Sequence, residues 1–182
     1  MERFWTRGSL LVATPRLDDP NFARTVILML EHNEEGALGL VLNRPSELAV
    51  VDVVPEWADQ VADPEVVFGG GPVQPGSAFV LGERPTPAST SSFAVVFEHI
   101  GVVDPFDDPP HDLGRVRVFT GYAGWSSGQL EGELAEDAWW VLTAEPEDVF
   151  VTHPDELWHA VLGRQVGTLR WFANYPDDPA AN

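Results

Sequence analysis

The chain has 182 residues and a net charge of −19, from ten basic and 29 acidic side chains; every cation is Arg, and there is neither Lys nor Cys. These absences exclude a P-loop, a Schiff-base lysine, disulfides, thiolate catalysis and thiolate-held zinc or iron–sulfur centres. The length suits one domain, and the charge works against binding a phosphate backbone, which depends on Lys and Arg releasing counterions.

In chain order, Ser9 to Ala13 reads as a first strand. Its apolar run is too brief for a signal-peptide core, and no run of about 18 apolar residues exists to span a membrane. The cytoplasm is the expected location. Thr25 to Leu30 is a continuous apolar run of strand length, which predicts a strand covered on both faces. Ala37 to Leu42 returns as its hairpin partner, with Gly36 expected in a left-handed position. Gly39 interrupts that strand and predicts a bulge or a close backbone approach. Ser46 to Ala62 reads as mostly helical, because Val50, Val53, Val54, Trp57 and Val61 recur at helical spacing, with Pro55 as a kink or first turn. Strands are expected at Val66 to Phe68, Ser77 to Leu81, Phe93 to Phe97, Val116 to Tyr122 and Trp139 to Leu142. Loops are expected at Glu83 to Ser92 and Asp104 to Asp112. Thr152 to Leu162 should form the last helix, residues 1–174 one domain, and 175–182 a polar tail. Strands without regular βαβ alternation favour an α+β fold.

Gly124-Trp125-Ser126-Ser127-Gly128 matches the Gly-x-Ser-x-Gly nucleophile elbow between a predicted strand and helix. Asp137 or Asp148 with His153 or His159 could complete a hydrolase triad. The plainer reading is that Ser126 caps the helix, with Gln129 closing a capping box. Glu31-His32 could supply a base or a metal ligand, against a structural hairpin, and no second His stands at ligand spacing. Gly69-Gly70-Gly71-Pro72 could cradle a phosphate with its amides, against a tight backbone turn. Arg115 and Arg117 share a strand face but fall short of a docking stripe. The acidic pairs Glu131/Glu133 and Asp107/Asp108 are what so acidic a chain produces by chance. Trp139 and Trp140 must point to opposite faces of their strand.

Several segments read together carry a resemblance. They are Leu10-Leu11-Val12-Ala13-Thr14-Pro15, Asp19-Pro20-Asn21-Phe22-Ala23-Arg24-Thr25-Val26-Ile27, Glu31-His32-Asn33, Gly36 to Pro45, Gly70-Gly71-Pro72-Val73, and Gly121 to Glu133. In this order and spacing the chain resembles the bacterial YqgE/AlgH family, from about Leu10 to Leu162. The resemblance implies an α+β fold with a bifurcated β-sheet, including a small closed five-stranded barrel, surrounded by helices. It brings no enzyme activity and no catalytic residues; some members carry the label of transcriptional regulator.

The expected function is therefore non-enzymatic binding or regulation through a protein or small-molecule partner. The alternatives are a hydrolase at Ser126 or Glu31-His32, and a regulator acting directly on DNA, which the charge disfavours. The expected contact residues are Arg24, Glu31, His32, Asn43, Arg44, Trp125, Gln129 and Glu131. Gly70, Gly71, Gly124 and Gly128 are assigned to backbone turns. No cofactor, metal or membrane contact is expected, and the chain should be a monomer or weak homo-oligomer. Cations are scarce, so Arg24 and Arg44 are expected to pair with Glu31, Glu131 or Glu133. The motifs are expected to converge on one cleft holding Arg44, Trp125, Gln129 and Glu131. His32 fits there least well, because a strand of about seven residues separates its ends by about 20 Å.

Overall fold

The computed structural model describes residues 5–86, 88–107 and 109–177. The strands are β1 (Ser9–Ala13), β2 (Val26–Asn33), β3 (Gly36–Val41), β4 (Pro45–Ala49), β5 (Val66–Gly69), β6 (Val73–Glu83), β7 (Phe93–Phe97), β8 (Ile100–Val103), β9 (Val116–Ser126) and β10 (Trp139–Thr143). The α-helices are short: α1 (Val50–Val53), α2 (Gln129–Ala135), α3 (Pro146–Val149) and α4 (Leu157–Gly163). Turns of 3-10 helix cover Pro55–Gln60, Pro154–Glu156 and Gly167–Asn174.

The strands run β10-β1-β2-β3-β9-β6-β8-β7 in one curled antiparallel sheet. β2 shows why its run is continuously apolar. Val26, Leu28 and Leu30 enter one core and Ile27 and Met29 the other, so both faces are covered. The first core also takes α4 and the aromatic rings of Phe68 and Phe119. The second holds Trp125, Trp139 and Leu130, with Phe22 against them. A third, around Trp57, Val80, Phe93 and Val118, fills the curl of the second half of the sheet. Trp139 and Trp140 do point to opposite faces, and Trp140 is covered by Phe172 at 5.1 Å between ring centroids.

The sheet branches at β9. β6 takes one edge of that strand, leaving β3 (at Ala123 to Ser126) and β5 (parallel, at Phe119 and Thr120) to share the other. At the branch the backbones interlock through glycines. A Cβ on Gly70 would meet the Gly121 carbonyl oxygen at 2.4 Å, and one on Gly121, at φ 69°, would meet that of Gly71 at 2.4 Å. Those contacts admit no side chain, which explains the glycine motifs as determinants of the branch. The bifurcated sheet is thus present. The closed five-stranded barrel is not: pairing among the described residues ends open, at β7 on one side and at β4, which pairs β5, on the other.

The expected bulge lies across from Gly39, where the β2 register shifts between Met29 and Glu31. The helix expected from Ser46 to Ala62 is corrected. Residues 45–49 pair with β5 as an edge strand, and only one turn of α-helix and one 3-10 segment follow. β8, α3 and the 3-10 turn at Gly167–Asn174 had no sequence signal strong enough to place them. Of the expected tail, Tyr175 packs on Phe172 at 6.0 Å; residues 178–182 lie outside those described. Among the described residues no helix is long and apolar enough to cross a membrane.

Candidate functional site

The expected contact residues separate into two groups. The first gathers at the β2–β3 hairpin, the end of β9 and α2. His32 is buried, its side chain 1% exposed. The Thr6 backbone N–H donates to His32 Nδ1 at 3.1 Å, so Nε2 carries the ring hydrogen and faces Glu131 Oε1 at 3.3 Å. The Trp5 ring meets the imidazole edge-on at 4.9 Å. His32 therefore ties the N-terminal segment and α2 to the hairpin. Its neighbour Glu31 points the other way and is exposed, as alternation along a strand requires.

Trp125 is nearly buried, between Phe22 and Trp139. Glu133 Oε2 accepts both indole N–H groups, from Trp125 at 2.9 Å and Trp139 at 2.8 Å, while Oε1 accepts from Gln129 Nε2 at 3.1 Å. Beside this cluster runs an open groove of about 400 Å³, lined among others by Glu31, Asn33, Val73, Tyr122 and Trp125. Gly124 belongs to β9, paired with Leu38, and is not a turn residue.

Ser126 does not cap α2. The cap is Gly128, at φ 76°, and Ser126 is the exposed last residue of β9. Gln129 does reach back, its Oε1 accepting from the Ser126 N–H at 3.0 Å and lying 3.3 Å from Oγ. Of the groups named for a triad, His153 is exposed ahead of the Pro154–Glu156 turn, and the other three are engaged elsewhere. Asp137 meets Arg16, Asp148 is held by Arg164 at 2.6 and 2.7 Å, and His159 meets the Ala173 carbonyl and Asp177.

The second group lies at the entry to β2. Arg24 has φ 61°, a left-handed backbone that costs a non-glycine residue roughly 1 kcal/mol or more. Asn43 holds it there. Its Nδ2 donates to the Arg24 carbonyl at 2.8 Å, and its Oδ1 accepts from the Val26 N–H at 3.0 Å. The Arg24 guanidinium lies 4.2 Å over the Trp158 ring and 5.1 Å from Tyr175, and donates to the Pro176 carbonyl. Its Nη1 is buried with no hydrogen-bond partner among the described residues. Arg44, on the exposed side, donates to the Ala23 carbonyl, and burial lowers its guanidinium below the ordinary value. These residues line a pocket of about 320 Å³ with Asp155, Trp158, His159 and Asp177. A smaller recess on the other side of Arg44 is lined by Asn21, Gly69, Gly71 and Pro72.

The single cleft expected from the motifs does not form. Among the described residues, neither the pocket nor the recess at Arg44 contains Trp125, Gln129 or Glu131. Nor do Arg24 and Arg44 pair with Glu31, Glu131 or Glu133; their recorded acceptors are main-chain carbonyls. The Gly69 and Gly70 amides are spent on the Arg44 and Thr120 carbonyls at 2.8 Å each, so they do not cradle a phosphate. Trp158 and Tyr175, which hold Arg24, were missed, and nothing local in the sequence joins residues so far apart.

Arg115 and Arg117 are also consumed inside the fold. Arg115 binds Glu83 and Glu147. Arg117, buried above the Phe68 ring at 4.3 Å, donates to the carbonyls of Val149, Pro64, Asp63 and Val151 at 3.0 to 3.2 Å. Burial pushes its guanidinium down to about 10.

Residues 10–170 match the family model described as AlgH-like. The chain belongs to the AlgH-like family. A UPF0301 protein of Streptomyces coelicolor is 50% identical over 183 residues, covering 96% of this chain and 94% of its own. One from Thermobifida fusca is 44% identical over 195 residues, covering 100% and 98%. A crystal structure of a Corynebacterium diphtheriae protein matches with a TM-score of 0.88 at 31% identity, over 96% of this chain and 95% of that one. The solution structure of AlgH from Pseudomonas aeruginosa matches with a TM-score of 0.67 at 31% identity, over 98% and 100%. The names of these AlgH-like relatives state no reaction, substrate or partner.

Proposed function

We propose that the protein is a non-enzymatic binding protein of the cytoplasm, regulatory in effect, that contacts a protein or small ligand at the pocket of Arg24, Asn43 and Arg44. The observation that carries this reading is the pocket itself. Four separate stretches build it: the turn before β2, the connection from β3 into the start of β4, the Pro154–Glu156 turn running into α4, and the segment after Tyr175. A strained backbone at Arg24 is held in place by the Asn43 side chain, and strain of that kind concentrates where a side chain must be aimed. Hydrolysis at Ser126 has less support, because the partner of its hydroxyl is Gln129 rather than a histidine. Direct action on DNA has less support too, since Arg115 and Arg117 are spent within the fold and the net charge is −19.

A ligand-observed NMR screen of neutral and charged fragments against the full chain tests the reading. Hits should be lost in Arg44→Ala and retained in Trp125→Phe. Hits that map only to the groove beside Trp125, or covalent labelling of Ser126 by a fluorophosphonate, would overturn it.

A further inference from the structure

We propose that the pocket between Arg24 and Arg44 takes the oxyanion group of a small molecule, a carboxylate or a phosphate. This rests on the binding reading above and adds the chemistry of the ligand. The first support is how the chain uses its few cations. Arg16, Arg84, Arg115 and Arg164 each meet a carboxylate. Arg7, Arg24, Arg44, Arg117 and Arg170 meet none within ion-pair distance among the described residues, in a chain with 29 acids to offer, and of these Arg24 and Arg44 line one pocket together. Asp155 and Asp177 line the same pocket, yet neither forms an ion pair with either guanidinium.

The second support is unspent donor capacity. A guanidinium has five N–H donors. Each of these two has one recorded acceptor, the carbonyl of Pro176 or Ala23, and Arg24 Nη1 is buried with none. Both residues line one cavity, and a guanidinium fork is the group that planar oxyanions recognise. The third is preorganisation. Arg24 is fixed between the Trp158 and Tyr175 rings, so little side-chain freedom remains to be lost on binding. Arg44, exposed, makes the first contact; displacing the Pro176 carbonyl from Arg24 completes the site.

The acidic rim sets the size of the ligand's charge. Asp155 and Asp177 repel a polyanion, as does the whole molecule, so the fit is to one anionic group on a small body.

The test is an amide NMR titration of the full chain at low chloride with acetate, inorganic phosphate and neutral acetamide. At least one anion should give saturable shifts at residues 22–24, 43–45 and 157–159, and acetamide should give none. Arg44→Gln should weaken binding about tenfold or more, equivalent to about 1.4 kcal/mol. Arg24→Gln should do the same, and Arg16→Gln should leave affinity unchanged. Because Arg24 is packed, Arg44→Gln on the exposed side decides the matter if the Arg24 variant fails to fold. Response to acetate alone assigns a carboxylate, and to phosphate alone a phosphate. Absence of saturable shifts with both anions, or shifts that survive Arg44→Gln, overturns the inference. Acetamide shifts at these residues that Arg44→Gln abolishes overturn the anion assignment and leave the binding reading standing.

Discussion

Arg117 shows at the level of one residue how a cation can serve the fold. It sits 1% exposed, and its guanidinium collects carbonyls from the 62–64 turn and from Val149 and Val151. No side chain of another type offers that many coplanar donors. Arg117→Met removes all of them and leaves buried carbonyls unpaired, so urea denaturation should show a loss of about 3 kcal/mol or more. Arg117→Lys keeps the charge and loses the fork, and should fall between the two. A Met variant within about 1 kcal/mol of the wild type would show that water satisfies the carbonyls instead. The sequence made Arg115 and Arg117 neighbours on one strand face, and both do face α3 and the residues after it. Their partners could not be read, because Val149 and Asp63 reach them only through the folded chain. The same limit applied to Arg24 and Arg44. Both were legible as scarce cations near strand ends, but their lack of acidic partners is a tertiary fact. Ser126 failed as a cap for a local reason: β9 runs on through it, and Gly128 takes the left-handed turn into the helix.

At the scale of elements, α2 illustrates a helix that depends on its docking. Seven residues are too few to be helical alone. Leu130 anchors one side in the second core, and Glu133 anchors the other by accepting two indole N–H groups. Glu133→Ala leaves both indoles without their acceptor and should cost about 2–4 kcal/mol in denaturant unfolding. Glu133→Gln keeps a carbonyl oxygen at the site and should cost less. Equal losses in the two variants would mean that the charge, not the acceptor, matters. Elements with a continuous or alternating apolar pattern, such as β1, β2 and β10, were legible in the sequence. Those without one were not. β4 is an exposed edge strand, so burial imposes no alternation on Pro45–Ala49. The valines after it kept helical spacing through a single α-turn and a 3-10 segment, which mimics a longer helix.

Across the whole molecule, the net charge of −19 and the ion pairs pull stability in opposite directions as pH falls. Protonating surface carboxylates relieves repulsion, which stabilises the compact state. Arg115 works against this. It hydrogen-bonds Glu83 at the end of β6 and Glu147 on α3, and those bonds hold both carboxyls below their ordinary values. A carboxyl depressed in the folded state contributes stability above its unfolded value, near pH 4.3, and loses it as pH falls through the folded value. Glu147 is exposed and Glu83 partly buried beside an Arg115 that is itself half-exposed, so the contribution is modest, about 1 kcal/mol after screening. The two effects separate in the difference between wild type and Arg115→Met, because the general repulsion is nearly common to both. That difference, measured as urea midpoints from pH 7 to pH 3, should be largest at neutral pH and shrink below about pH 4. It should also shrink in high salt, since the three groups are within reach of counterions. A difference that stays constant across the range would assign Arg115 a packing role on the Phe150 ring, 4.6 Å from its guanidinium, in place of an electrostatic one.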